Sequence, residues 1–123
     1  MHLVWIRTQE GETVIEDLEV PSTKQVRGYE TVALPLGGAI FRTRQPAVDM
    51  DFHNAPRRQI VVPLEGEVEI ETGSGEVRLI SPGMALLADD LTGRGHKSKF
   101  RPKNATMLFL LLPDDLDPAI WRK

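Results

Sequence analysis

This sequence predicts an all-β fold, a sandwich or closed barrel in one domain, and three observations support that. Ten Gly and nine Pro punctuate 123 residues almost evenly. The runs between them are short and rich in Val, Ile and Leu, the composition of strands joined by turns. No stretch carries a helical repeat over ten residues or more. Closure removes exposed sheet edges, and a chain of this length makes one domain of ordinary size.

Taken in order, residues 2–7 (HLVWIR) and 13–20 (TVIEDLEV) read as two strands around a turn at Gln9-Glu10-Gly11. Residues 29–34 (YETVAL) and 38–44 (GAIFRTR) read as two more around Leu36-Gly37-Gly38. The clearest meander follows: Gln59–Leu64, a turn at Glu65-Gly66, Glu67–Glu71, a turn at Thr72–Gly75, Glu76–Ile80, the turn Ser81-Pro82-Gly83, then Met84–Ala88. Strand residues two apart share a face. Val68 and Ile70 therefore face one side, with Glu67, Glu69 and Glu71 in water. Val77 and Leu79 are expected to join that apolar face, leaving Arg78 outside. Met84–Ala88 and Met107–Leu112 are apolar on both faces, which predicts burial between the interior and a further layer or subunit. The tail DDLDPAIWRK, with Trp121, is expected to form a short terminal helix.

Composition narrows the function. Fifteen basic residues are scattered among eighteen acidic ones, for a net charge of −3, so no basic stripe marks a nucleic-acid or anionic-lipid partner. With no Cys, disulfides, thiolate nucleophiles and Cys-based zinc sites are excluded. No basic segment followed by an apolar run opens the chain, and no stretch approaches the ~18 apolar residues of a spanning helix, so a cytoplasmic location without membrane contact is expected. No Ser sits in a GxSxG elbow.

The residues that carry chemistry centre on two histidines. His53 precedes the clearest meander, in DFHNAPRRQ, and His96 follows it, in DDLTGRGHK. Gln59 has the parity of Val61 and points inward if the strand is regular. Two imidazoles with an oxygen donor suit Zn, Fe, Mn, Ni or Cu. An imidazole in a half-buried pocket also titrates near neutrality and serves acid–base chemistry. Arg57 shares the parity of Gln59 and is a candidate clamp for an anionic ligand. Arg58 is expected to face solvent and bridge to Glu67 or Glu69. Asp89-Asp90 reads as the start of a turn, the alternative being a base or oxygen ligand beside His96.

These residues also carry a family resemblance. DFHNAPRRQIVVPLEG resembles the first cupin motif, with Asp51 where the first His would stand, His53 on the second, Gln59 at the Glu position and Gly66 on the motif Gly. GEVRLISPGMALLADDLTGRGH resembles the second, through Gly75, Pro82, Gly83 and His96, with a longer stretch between Gly83 and His96 than the pattern has. The resemblance covers about residues 38–112 and is similar to that of small stand-alone bacterial cupins. It implies a double-stranded β-helix (jelly-roll) barrel, with N-terminal strands over 1–37 at a dimer interface, a core barrel over 38–112 and a tail over 113–123.

The implied ligand set is His53, His96, Gln59 and Asp51 around one divalent metal, Zn, Fe, Mn or Ni. His53, Arg57, Gln59 and His96 would contact a small molecule. Replacing a family His by Asp51 and Glu by Gln59 weakens that set, because a neutral amide stabilises a dication less than a carboxylate does. Two classes therefore remain: a ligand-binding barrel with a reduced metal set, which these substitutions favour, and a metal-dependent oxygenase, isomerase or lyase. A homodimer is expected, because ATMLFLLLP is more apolar than one face requires and the N-terminal strands are expected outside the core meander.

Overall fold

The computed structural model describes residues 1–123, the side chain of Lys103 excepted. The chain is almost entirely strand. β1 (His2–Gln9) and β2 (Glu12–Glu19) form the expected hairpin, turning through Glu10 and Gly11, both at positive φ. β3 (Ser22–Gln25) and β4 (Gly28–Thr31) pair only with each other. β5 (Gly38–Arg44) and β6 (Met50–His53) follow, then the long β7 (Gln59–Thr72), β8 (Val77–Ile80), β9 (Leu86–Asp89) and β10 (His96–Leu111). A single 3₁₀ turn (Pro118–Trp121), capped by the Asp117 side chain, ends the chain as the tail predicted.

β1, β2 and β5–β10 form one mixed sheet of eight strands, ordered β2-β1-β9-β7-β10-β5, with β6 on β10 and β8 on β7. All its pairings are antiparallel except β1 with β9. Expected outside the core, β1 instead lies between β2 and β9, with Leu3, Val4 and Ile6 fully buried.

The structure corrects four local expectations. Glu65-Gly66 is not a turn: β7 runs through it as one strand. Gly66 takes φ +77° in a bulge, where a Cβ would sit 2.7 Å from the Asn104 carbonyl, and the β7/β10 register shifts there. The strand expected over 29–34 pairs with Ser22–Gln25 through the two-residue turn Val26-Arg27, while β5 pairs with β10, not with β4. Val77 and Leu79 stand opposite Glu71 and Glu69 and are exposed. Arg78 stands opposite Ile70 on the inner parity, because Ile80, not Leu79, is the buried partner of Val68. Finally, Arg58 does not reach Glu67 or Glu69. Its Nε donates to Asp89 Oδ1 at 2.8 Å and its Nη1 to the carbonyls of Asp114 and Leu116, pinning the tail.

The strands that read as apolar on both faces separate two cores. Val4, Ile6, Val61, Leu86, Ala88, Met107 and Phe109 face one cluster. Their neighbours Leu3, Trp5, Ile60, Leu87 and Leu112 face the other, which Trp121 and Leu116 of the chain's own tail close. The further layer predicted for these strands is thus supplied within the chain.

Candidate functional site

Strand pairing brings the two distant histidines together. β6 and the start of β10 are antiparallel neighbours in which His53 is the direct partner of His96, and their ring centroids are 4.4 Å apart at 54°. Gly95 permits this approach. It has φ +80°, and a Cβ there would lie 2.0 Å from the His53 carbonyl oxygen. Any other residue would force the strands apart.

Each ring is oriented through Nδ1. The carbonyl of Asp51 can only accept, so His53 Nδ1 donates to it at 2.8 Å. His96 Nδ1 lies 2.5 Å from Asp90 Oδ2, which also accepts from Thr13 Oγ1 at 2.9 Å. Asp90 is completely buried, and its second oxygen has no partner among the described residues. It is therefore a fixed acceptor behind His96. These bonds leave Nε2 as the open nitrogen of each ring. Burial pushes the His53 pKa below its ordinary value, opposed by the hydrogen bond to the Asp51 carbonyl and reinforced by the neighbouring His96, which favours the neutral ring with a free Nε2 lone pair.

Both rings line a cavity of about 340 Å³. Gln59 lines it too, with the inward parity shared by Val61. Its amide oxygen is buried without a hydrogen-bond partner. The remaining wall is largely apolar, built from Val68, Ile70, Leu86, Phe100, Met107 and Phe109.

Two other residues of the sequence-derived set are not brought there. Asp51 turns outward: its carboxylate accepts from the Phe52 N–H at 2.8 Å, and it lines a separate surface groove with Lys97 and Lys99. Strand parity alone would have placed it beside His53, but it is solvent-exposed at the edge of a four-residue strand. Arg57 is absent from the cavity wall, although its Nε is buried without a partner. Among the described residues, no group of three or more His, Asp or Glu is arranged to hold a metal ion.

The cations that do line the cavity are Arg42 and Arg44, which sequence reasoning did not single out. The signal was there. In GAIFRTR, Ile40, Arg42 and Arg44 alternate with exposed Phe41 and Thr43, which puts the arginines on the half-buried face. No protein-family model matches this chain, and no curated protein is similar to it. Chemically, the site combines two oriented imidazoles, one unsatisfied amide oxygen, two guanidinium groups and an apolar wall. No helix among the described residues is long and apolar enough to cross a membrane.

Proposed function

We propose that this sheet closes as a cupin-type double-stranded β-helix and that its cavity binds a small molecule in front of His53, His96 and Gln59. One observation carries the reading: the Gln59 amide oxygen is buried, unpaired and on the cavity wall. A buried unsatisfied acceptor costs about 1–3 kcal/mol, a cost that a ligand donor relieves. The cavity volume supports the same reading, since small-molecule pockets span roughly 300–1,000 Å³.

Protein-observed NMR with neutral fragments tests this. Fragment binding is expected to shift the amides of His53, Gln59 and His96, and Val61→Phe, which takes up cavity space, is expected to abolish the shifts in a protein that still melts cooperatively. Shifts confined to the surface would overturn the reading.

A second reading is a divalent metal on His53, His96 and Gln59, as part of either a binding protein or a metal-dependent enzyme. It is favoured by the Nδ1 bonds to a carbonyl and a carboxylate, the way ligating histidines are commonly held. The donor set fits only in part, because Asp51 faces away and the oxygen donor is neutral. A bound metal would supply Lewis acidity to the cavity. Elemental analysis decides it: stoichiometric metal lost in both His53→Ala and His96→Ala supports this reading, and metal-free protein rejects it.

The proposal includes a homodimer. The β3–β4 hairpin has all but one of its residues exposed, and Val26, Tyr29 and the adjacent Val32 are bare. A lone two-stranded hairpin is marginal in water, and a second copy would cover it. Light scattering is expected to give twice the mass of the chain, and a clean monomer would remove this claim.

A further inference from the structure

Arg42 and Arg44 leave the same face of β5, and both line the cavity. Each guanidinium lies over an aromatic ring of the wall, Arg42 4.7 Å from the Phe109 centroid and Arg44 5.3 Å from that of Phe100. A cation–π contact engages the charge but leaves the N–H donors to find acceptors. Among the described residues neither arginine reaches a carboxylate, and the hydrogen-bond partner of Arg44 is the Met50 thioether at 3.7 Å. Elsewhere the half-buried arginines Arg7, Arg58 and Arg78 are each paired with an acid, and Arg57, which has a buried Nε without a partner, lies off the cavity wall. Arg42 and Arg44 are instead two like charges side by side against an apolar chamber.

This arrangement is unfavourable without a ligand. Burial, and secondarily the charge of Arg42, push the Arg44 pKa below its ordinary value, yet an arginine remains charged at any pH the protein meets. Two partly desolvated cations with unused donors favour an anion between them, and the planar guanidinium fork matches a carboxylate. In the same cavity Val68, Ile70, Leu86 and Met107 offer apolar surface, so the body of such a ligand is expected to be largely apolar.

We infer that the cavity selects organic carboxylates, with the carboxylate held between Arg42 and Arg44 and an apolar body packed against Val68, Ile70, Leu86 and Met107. This rests on the small-molecule reading above and narrows it to one ligand class.

Calorimetry on the full chain with two matched pairs tests it: octanoate against 1-octanol, and phenylacetate against 2-phenylethanol. Each acid is expected to bind at least about tenfold more tightly than its alcohol, the effect of one charge-assisted hydrogen bond. In the double variant Arg42→Gln/Arg44→Gln the preference of acid over alcohol is expected to vanish. Should that variant melt without cooperativity, Arg42→Lys and Arg44→Lys, which keep the charge and lose the fork, are each expected to reduce the preference severalfold. Equal affinities for acid and alcohol in the unmodified protein, or a preference that survives the arginine substitutions, would overturn the carboxylate inference and leave the cavity reading standing. Binding of neither compound of either pair would overturn both.

Discussion

Two faces of the same strands have been built to different ends. On the outer face, Leu3, Trp5, Ile60 and Leu87 pack under the chain's own C-terminal tail, where Trp121 and Leu112 complete the layer. On the inner face the neighbours of those residues, Val4, Ile6, Val61 and Leu86, share one buried cluster, of which Val61 and Leu86 line an open cavity with His53, His96, Gln59 and two arginines. Alternation along a strand assigns the residues to the faces, and adjacent positions therefore experience opposite environments. The outer layer is closed by apolar contact with the chain's own tail. The inner layer gives up packing and leaves polar groups unpaired, the trade expected where a site must stay open to a ligand.

Leu86 and Leu87 offer the sharpest way to break this comparison, being the same residue type at consecutive positions on opposite faces. Leu87→Ala leaves a void in a closed layer and is expected to cost about 3–5 kcal/mol, toward the upper end for such truncations. Leu86→Ala enlarges a space that is already empty, loses mainly the transfer term and is expected to cost about 2 kcal/mol. Urea melts of the two variants measure the difference. Fragment binding is expected to survive Leu87→Ala and to weaken in Leu86→Ala. Equal costs would mean that the cavity is closed by motion in solution.

Gln59 gives the converse test, because its substitution makes one inner position resemble the outer face. Gln59→Leu removes an unpaired buried amide oxygen and adds apolar contact, so stability is expected to rise by about 1 kcal/mol. Fragment affinity should fall in the same protein. A variant that loses stability would show that the amide is satisfied in solution, and the inner face would then not be the strained one.

How much of this was legible beforehand depended on whether the signal was local. Periodicity and turn residues located the β1–β2 hairpin, the inward parity of Gln59 and the two-faced character of β9 and the end of β10. The register of β8 was misread, because Val77 and Leu79 alternate cleanly with Arg78 and only Ile80 opposite Val68 reveals the other parity as the buried one. The β7 bulge was missed because Glu-Gly reads as a turn whether or not the strand continues. The pairing of His53 with His96 could be expected only through the cupin resemblance, since the contact spans the whole meander and depends on Gly95 at a strand crossing. Asp51 went the other way: local parity pointed it inward, and the exposed edge of β6 turned it out. Arg42 and Arg44 were readable from alternation but looked like ordinary surface charge in a sequence with fifteen basic residues.

The smallest expected effect concerns the rim, where the inner parity meets solvent. Arg78 shares the inner parity of β8 and ends in a two-bond contact with Asp17 of β2, at 2.7 and 3.1 Å, with His2 on the same carboxylate. The Arg78 guanidinium foremost, and then His2, hold the Asp17 carboxyl far below the usual range. A depressed folded-state pKa means that the unfolded chain takes up the proton first. The stabilisation is therefore complete above the unfolded value of about 3.9 and is lost as pH falls below it. Asp17 is nearly half exposed, so the loss should stay under about 1 kcal/mol and shrink with added salt. Urea midpoints between pH 5 and pH 2 measure it, with Arg78→Gln expected to be the less stable protein at pH 5 and to converge on the unmodified one at the acid end. The outer layer is held around Trp121 by apolar contact, with Asp89 at its edge accepting from Trp5 Nε1 at 3.1 Å and from Arg58 Nε at 2.8 Å, so near-UV signals from Trp121 are expected to hold their pH 5 form to lower pH than the rim does. Loss of the Trp121 signal at the same pH as the β2–β8 contact would mean that the two faces melt as one unit, and the division of labour between them would end at the level of packing.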